Sequence, residues 1–367
     1  MKEITVKSSI DYKINIGTRI RFNIYEFIKE FNYNKIAVIT DENVAKYYLE
    51  DVVNGLTPFI QVVTYNLPSG EKIKDISWFE RLQQFLLNEQ LDRHSAVIAL
   101  GGGVVGDLSG FVASTYMRGI GFVQVPTTLL AHDSSIGGKV AINLGSIKNI
   151  IGHFYPPQAV IYDLDTLSTL SEQEFRSGLA EVIKHSLIGD AHLYEQLITK
   201  QELSVKDQSF EKILHRSIDV KRVIVEADEL ELGKRKFLNF GHTLGHAIES
   251  VYQSKNITHG EAVMVGILFD LFVSDLENGE RQGMLSGGLI TWLTNIGYKL
   301  ALSEWRVNQL LQLMLKDKKN EKQLIALVLL RDYEQPYVKH FSPKEVKNLL
   351  EAFAKYMGQY SNVKYLV

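Results

Sequence analysis

The chain has 367 residues, of which 45% are hydrophobic and 23% are charged, and its formal net charge at pH 7 is −3. This composition is typical of a soluble globular protein, and the length is great for one hydrophobic core, so two domains are predicted. The slightly acidic charge excludes a general nucleic-acid binder, which would carry a strong basic excess. The chain contains no cysteine, which excludes disulfides and thiolate metal ligands.

The beginning of the chain, Met1–Val6, alternates polar and apolar residues like a β-strand and does not have the pattern of a signal peptide. No uncharged apolar run reaches the roughly 18 residues of a membrane span. We therefore expect a cytoplasmic protein that has neither nucleic acid nor a membrane as a partner.

The two halves of the sequence have different patterns. In the first half, short apolar runs alternate with segments of helical spacing; the runs are Lys35–Thr40, Ser95–Leu100, Phe122–Pro126 and Ala159–Tyr162. This alternation predicts a Rossmann-like α/β domain with a parallel sheet over residues 1–170. Over residues 171–367 a mostly α-helical domain is predicted, with helices at Glu172–Ile188, Ser209–Val225, Thr243–Tyr252 and Glu261–Leu276.

A glycine-rich stretch, Leu100–Asp107, follows one predicted strand and opens a predicted helix. Its Gly101, Gly103 and Gly106 have the G-x-G-x-x-G spacing, in which glycine lets the backbone approach a pyrophosphate at a helix N-terminus. The acidic residue expected about twenty positions later is missing, so the standard dinucleotide fingerprint is incomplete. Asp41, which ends an earlier predicted strand, is an alternative ribose ligand. A tight turn without any nucleotide is the other interpretation.

Three histidines and several carboxylates lie within about two dozen residues of the second half. His242 and His246 are four residues apart and would share one face of a helix, and His259 follows. Imidazoles gathered in this way, without cysteine, point to zinc or a similar ion held by nitrogen and oxygen ligands. Spacing alone would pair His242 with His246, although two histidines at this spacing are more often ordinary surface or core residues.

Two further segments concentrate polar residues. Gly137–Lys139 and Lys148-Asn149 place glycines and lysines close together, which suits a loop that closes on an anionic, hydroxylated ligand. Farther along, Glu181 and Lys184 lie on one face of a predicted helix among apolar neighbours. This pattern predicts a partly buried ion pair rather than an ordinary surface pair.

These segments together resemble the 3-dehydroquinate synthase family. The resemblance covers nearly the whole chain, in the family's order, on Gly101–Asp107, Val125–Thr128, Asp133–Lys139, Lys148-Asn149, Ala180–Lys184, Leu238–His246 and His259–Glu261. The loop around His132 is one residue shorter than in many members. The stretch after Lys319 lacks a glycine often found there, which leaves the roles of Lys318 and Lys319 open. The implied fold is that of dehydroquinate synthase.

The resemblance also implies a metal site, a cofactor site and a substrate site. For zinc, with Co²⁺ as the alternative, the implied ligands are Glu181, His242 and His259. For NAD the implied contacts are Asp41, Glu71, Lys74, Gly102, Gly103, Val104, Asp107, Thr127, Thr128, Lys139, Lys148 and Thr169. For the substrate they are Arg118, Asp133, Lys139, Asn149, Lys184, Lys221, Arg235, Asn239 and His246. This assignment gives His246 to the substrate rather than to the metal.

The implied reaction converts 3-deoxy-D-arabino-heptulosonate 7-phosphate into 3-dehydroquinate and phosphate, a step of the shikimate pathway to aromatic amino acids. An alcohol would be oxidised transiently by NAD, phosphate would leave by β-elimination, the hydride would return, and an intramolecular aldol reaction would close the ring. A sugar-acid phosphate explains the many cations of an otherwise acidic protein. Arg118 resembles an arginine that family members place in the neighbouring subunit's substrate site, which implies a homodimer.

Three alternatives have a similar plan. Iron-type and glycerol dehydrogenases would consume NAD and do not need Gly137–Lys139 or Lys148-Asn149. Sugar-phosphate cyclases of secondary metabolism, such as 2-deoxy-scyllo-inosose synthase, alter the stretch corresponding to Ser134–Lys139, which is intact here. A catalytically inactive NAD-binding protein would not need the complete set of metal and phosphate-site residues.

Overall fold

The structure is a computed structural model that describes residues 1–145, 147–201, 203–205, 207, 209–252, 255–279, 283–316, 323–360 and 364–366. The chain divides into two compact units, residues 1–171 with 221–230, and residues 172–220 with 231–367. Lys318 and Lys319, whose roles the sequence leaves open, lie outside the described residues. Across the described ranges, no helix has both the length and the apolar character needed to cross a membrane.

The first unit is an α/β structure. Its strands are β1 (Lys2–Val6), β2 (Tyr12–Gly17), β3 (Lys35–Asp41), β4 (Gln61–Leu67), β5 (Ala96–Gly101), β6 (Gly121–Pro126), β7 (Lys139–Leu144), β8 (Ile147–Phe154) and β9 (Ala159–Asp163). Its helices are α1 (Glu42–Val44), α2 (Glu50–Leu56), α3 (Ile76–Asn88), α4 (Gly103–Thr115) and α5 (Ala131–Ser134). The four predicted apolar strands are confirmed as β3, β5, β6 and β9. Strands β2 and β4 are not among the predicted ones.

Seven strands form one sheet in the order β1-β2-β9-β6-β5-β3-β4, which is parallel except for the β1–β2 pair. Alternate residues of β3 face opposite sides: Ala37 and Ile39 pack with α3 and α4, whereas Ile36 and Val38 pack with α2. Because both faces are covered, the central strands are almost entirely apolar. The predicted parallel sheet with helices on both faces is confirmed. Strands β7 and β8 form a separate antiparallel hairpin.

The second unit is mostly helical. Its elements are α6 (Glu172–Gly189), α7 (Ala191–Ile198), α8 (Phe210–Ala227), α9 (His242–Val251), α10 (His259–Glu277), α11 (Gly287–Asn295), α12 (Val307–Leu315), β10 (Ile325–Leu330), β11 (Pro336–Phe341) and α13 (Pro343–Met357). The end of α8, from residue 221, belongs to the first unit. The four predicted helices are confirmed as α6, α8, α9 and α10, while the β10–β11 hairpin is an addition to the prediction.

Helix α10 is the core of the second unit, since every residue from Gly260 to Leu271 is buried. Two of its glycines let neighbouring backbones approach. A Cβ on Gly260 would lie 1.9 Å from the Ser177 carbonyl oxygen of α6, and a Cβ on Gly266 would lie 1.9 Å from the carbonyl oxygen of Gly241, the residue before α9. Real Cβ atoms essentially never come within 3.0 Å of such atoms, so both positions require glycine. These contacts hold α6 and α9 against α10.

Candidate active-site residues

The carboxyl ends of the parallel strands carry most of the predicted NAD residues. The register pairs Thr40 of β3 with Leu100 of β5, so Asp41 and the glycines from Gly101 onward lie at the same edge of the sheet. The residues that follow β6 and β9 at this edge are Thr127, Thr128 and Thr169. Open parallel sheets bind ligands at this edge.

The glycine-rich stretch forms the predicted strand-to-helix turn between β5 and α4. Gly102 is the N-cap of α4, and the first turn of this helix contains no acidic side chain. A Cβ on Gly103 would lie 3.1 Å from the Ser134 hydroxyl, and one on Gly102 would lie 3.1 Å from the Thr128 methyl group. The first N–H groups of a helix have no partner within it, and they attract anions. The turn therefore fits a pyrophosphate.

Local hydrogen bonds orient two other predicted NAD residues. The Asp41 Oδ1 atom accepts hydrogen bonds from the N–H groups of Asn43 and Val44, at 2.8 and 3.1 Å, and so caps α1. The Thr169 hydroxyl lies 2.6 Å from the Tyr48 hydroxyl. These hydrogen bonds fix the orientation of both side chains.

Lys74 lies between Asp107, which is predicted to bind the cofactor, and Asn149, which is predicted to bind the substrate. Its ammonium group contacts the Asp107 carboxylate and the side-chain carbonyl of Asn149, and the Lys74 side chain is only 5% exposed. Burial raises the pKa of Asp107, and the positive charge of Lys74 opposes that shift. The structure therefore brings these three predicted residues together.

Asn143 completes this cluster and is not among the predicted site residues. Its backbone N–H donates to the carbonyl of Lys74 at 2.7 Å, and its Nδ2 donates to Glu71 Oε1 at 2.9 Å. Its Oδ1 accepts the N–H of Asn149 at 2.9 Å. Asn143 thereby ties the predicted NAD residues to the β7–β8 hairpin. In the sequence, Asn143 lies six residues before Asn149 and between two segments predicted for the site, and this position could have drawn attention to it.

Of the other predicted residues of the first unit, two form an ion pair and three are exposed. Lys221 and Asp133 form an ion pair of 2.9 Å, and the Lys221 ammonium also contacts the Asp133 carbonyl. Lys139 and Lys148 are exposed on the β7–β8 hairpin. Arg118 is exposed in a turn, and its φ of 70° is rare for a residue with a side chain.

In the second unit, Glu181, His242 and His259 come together from three helices. The Glu181 Oε1 atom lies 3.4 Å from His242 Nε2 and 3.6 Å from His259 Nε2. Ligand atoms that are about 2.0–2.2 Å from a tetrahedral zinc ion lie roughly 3.3–3.6 Å apart. Both oxygen–nitrogen separations are those expected between two ligands of one zinc ion.

The second nitrogen of each imidazole faces an acceptor. His242 Nδ1 lies 3.0 Å from the carbonyl oxygen of Phe240, and His259 Nδ1 lies 3.0 Å from Glu249 Oε2. Burial lowers the pKa of His242. Burial acts in the same direction on His259, but the carboxylates of Glu249 and Glu181 outweigh it and raise the pKa of His259 to about 10. A cation between these groups would take the place of that proton.

His246 lies beside the same two imidazoles. Its ring centroid is 5.3 Å from that of His242 and 5.7 Å from that of His259, and its side chain is exposed. One nitrogen from each of the three rings lies within 4.8 Å of the other two. Proximity alone is therefore compatible with His246 as a ligand or as a substrate contact, and its assignment to the substrate stays a prediction.

Comparison with known proteins identifies the family of this chain. Two family models match, 3-dehydroquinate synthase N-terminal over residues 64–177 and 3-dehydroquinate synthase C-terminal over residues 178–320. A 3-dehydroquinate synthase from Oceanobacillus iheyensis is 46% identical over 359 residues, which are 97% of this chain and 99% of that protein. The chain belongs to the 3-dehydroquinate synthase family. A second member, from Bacillus mycoides, is 44% identical over 364 residues, with 97% and 100% coverage.

The fold also agrees with that of a solved structure. The crystal structure of 2-deoxy-scyllo-inosose synthase, complexed with carbaglucose-6-phosphate, NAD+ and Co²⁺, matches with a TM-score of 0.86. The match covers 96% of this chain and 100% of that one, at 24% sequence identity. At this identity the similarity shows the fold alone.

Three predicted substrate residues of this 3-dehydroquinate synthase family member remain. Lys184 lies on α6, and Arg235 and Asn239 lie shortly before α9. Lys184 contacts the Oε2 atom of Glu181, and both side chains are 1% exposed, so the predicted pair is in fact fully buried. Arg235 is also buried, at 1% exposure, within a 3-10 helix that ends at Asn239. The Asn239 amide donates to Glu231 Oε1 at 3.2 Å.

Proposed function

We propose that this chain is a 3-dehydroquinate synthase that uses zinc and NAD to convert 3-deoxy-D-arabino-heptulosonate 7-phosphate into 3-dehydroquinate and phosphate. The observation that carries the proposal is the convergence of Glu181 Oε1 with two imidazole nitrogens, at 3.4 and 3.6 Å. Full-length relatives that bear this enzyme's name support it.

Glu181, His242 and His259 would hold the metal. Three protein ligands leave a position open, as in catalytic zinc sites. Bound zinc would polarise an alcohol oxygen of the substrate and lower its pKa. The ammonium group of Lys184 holds the Oε2 atom of Glu181, so Oε1 is the atom directed at the imidazoles. The Co²⁺ in 2-deoxy-scyllo-inosose synthase, which has the same fold, supports a divalent metal here.

The carboxyl edge of the parallel sheet would hold NAD, which supplies a reversible hydride acceptor when bound. The N-terminus of α4 would bind the pyrophosphate through backbone N–H groups, and Asp41 would bind a ribose. Lys74 holds the carboxylate of Asp107 in place through their ion pair. The NAD+ in 2-deoxy-scyllo-inosose synthase supports this site.

The substrate carries a carboxylate and a phosphate, and the predicted substrate residues are mostly cationic. Lys184, Lys221 and Arg235 are buried, so their charges act with little screening by water. Asp133 fixes the ammonium group of Lys221 through an ion pair of 2.9 Å. Positioning of this kind contributes to catalysis because the cations are already oriented when the phosphate departs.

Two further parts of the proposal concern the protein's surroundings. A homodimer is supported by Arg118, which is exposed in a turn where Met117, Arg118 and Gly119 all have positive φ angles. At Met117 and Arg118 such a backbone is strained, and strained residues cluster at functional positions. Light scattering should give about twice the chain mass of 41.6 kDa, and a fully active monomer would refute the dimer. The second part is a cytoplasmic location, which we expect from the sequence.

The decisive experiment follows phosphate release with substoichiometric NAD. Because the hydride returns to the substrate skeleton, each NAD should support many phosphates released without lasting accumulation of NADH. Accumulation of one NADH for each substrate consumed would instead make the protein a dehydrogenase.

A further inference from the structure

The imidazole of His259 lies between two carboxylates that come from different helices. Its Nε2 atom lies 3.6 Å from Glu181 Oε1 on α6, and its Nδ1 atom lies 3.0 Å from Glu249 Oε2 on α9. The two nitrogens point away from each other across the ring, so a single ion cannot be bound by both. Glu181 is thus on the metal side of His259, and Glu249 is on the opposite side.

The two distances indicate different interactions. A separation of 3.0 Å is a normal length for a hydrogen bond from N–H to oxygen. With the proton of a neutral His259 on Nδ1, Glu249 accepts that hydrogen bond and the lone pair is on Nε2, which faces Glu181. This is the tautomer that a metal bound at Nε2 requires.

The surroundings make this hydrogen bond strong. The side chain of Glu249 is 13% exposed and that of His259 is 29% exposed, so water competes only weakly. His242 and Glu249 are seven residues apart on α9, about two helical turns, and therefore lie on the same face. One rigid helix thus supplies one metal ligand and the hydrogen-bond acceptor for another.

We propose that Glu249 is a positioning residue of the metal site. It fixes the ring orientation and tautomer of His259 and makes its Nε2 atom a stronger metal ligand. Carboxylates that accept a hydrogen bond from a ligating histidine commonly have this effect. The inference rests on the proposed function, because it assumes that His259 binds the metal.

The test is the zinc affinity of the metal-free protein, measured by competition with a chelating dye. We expect Glu249→Ala to weaken zinc binding by about 10–100-fold. Glu249→Gln should have a smaller effect, because its amide oxygen still accepts the hydrogen bond but carries no charge. The absorption spectrum of the Co²⁺-loaded protein should change in the Ala variant, since the ring of His259 is no longer held. Ser250→Ala, at an exposed neighbour whose hydroxyl donates to the His246 carbonyl, is the control and should bind zinc normally.

Unchanged zinc affinity in both Glu249 variants would overturn the inference while leaving the metal site of the unsubstituted protein intact. Circular dichroism of the metal-free protein will show whether Glu249→Ala folds. If it does not, the zinc affinity of the near-isosteric Gln variant tests the inference. An unsubstituted protein that binds no zinc would refute the proposed metal site itself, and the role of Glu249 with it.

Discussion

Gly266 of α10 and Gly241, the residue before α9, are in direct backbone contact. A Cβ on Gly266 would lie only 1.9 Å from the Gly241 carbonyl oxygen. The N–H of Gly241 donates to Asp270 Oδ2 at 2.7 Å, and Gly241 has a φ of 79°, which favours glycine. The helix α10 therefore holds both sides of the same residue. Because His242 follows immediately, the position of a predicted metal ligand depends on how these two helices pack.

We predict that Gly266→Ala lowers the free energy of unfolding by about 3 kcal/mol, near the upper end of overpacking penalties, because the backbones must separate. Zinc binding should weaken in parallel. Gly288→Ala in α11 is the matched control, since its Cβ would meet only the Ser286 hydroxyl, at 3.7 Å. Its unfolding free energy should stay within about 0.5 kcal/mol of the parent. Urea titration of the three proteins measures both values, and equal stability of the two variants would contradict the packing argument.

The parts of the fold that the sequence reveals are those where burial determines the residue pattern. Strands β3 and β5 are covered on both faces, so each is a continuous apolar run with clear ends. Strand β10 is also an apolar run, but it lies in a helical half of the sequence, and a run of six residues has no period that distinguishes strand from helix. Strand β2, with its lysine and asparagine, has no such run.

The candidate site also has some residues that the sequence reveals and others that it does not. Glycines and histidines at fixed spacings, together with the family resemblance, identify the turn before α4 and the three predicted metal ligands. Asn143 and Glu249 are not identified in this way, because their partners lie on other elements. Asn143 bonds to Glu71 across 72 residues, a relation that no local pattern contains.

A second prediction concerns the ion pair of Lys74 and Asp107, whose side chains are 5% and 19% exposed. Lys74→Met should cost about 3 kcal/mol of unfolding free energy, because the carboxylate is left in a poorly hydrated place without its cation. The double variant with Asp107→Asn should cost less than the sum of the two single changes. Lys29→Met, in a pair with Glu26 where both side chains are more than half exposed, should leave the unfolding free energy almost unchanged. Additive costs in the double variant would show that the pair is not coupled.

A third prediction is a pH dependence at the start of α3. Burial acts to raise the pKa of Asp75, but hydrogen bonds from the N–H groups of Trp78 and Ser77 and from the Ser77 hydroxyl hold it below the ordinary 3.8. A lowered pKa in the folded protein means that Asp75 stabilises the fold above pH 3.8 and loses this effect as the pH falls through the folded-state pKa.

Asp75→Ala should therefore cost about 1 kcal/mol at neutral pH, and the difference from the parent should shrink under acid conditions. Asp75→Asn is the control, because its side chain still caps the helix and does not titrate. Unfolding free energies of the three proteins over a pH series measure the effect. A cost for Asp75→Ala that stays constant from neutral to acid pH would refute it.

The last prediction separates the histidines of α9 and α10. Spacing alone would make His242 and His246 the metal pair, whereas the family resemblance selects His242 and His259. In the structure, His259 Nε2 and His242 Nε2 both face Glu181 Oε1, at 3.6 and 3.4 Å, and His246 is the most exposed of the three rings. His259→Ala should therefore lose zinc, because one of three ligands is removed. His246→Ala should keep nearly stoichiometric zinc and lose much of its activity, since only a substrate contact is missing. Metal analysis of the purified variants beside the parent decides between the assignments. Zinc lost from the His246 variant but retained by the His259 variant would mean that the helical pair binds the metal and that His259 serves the substrate.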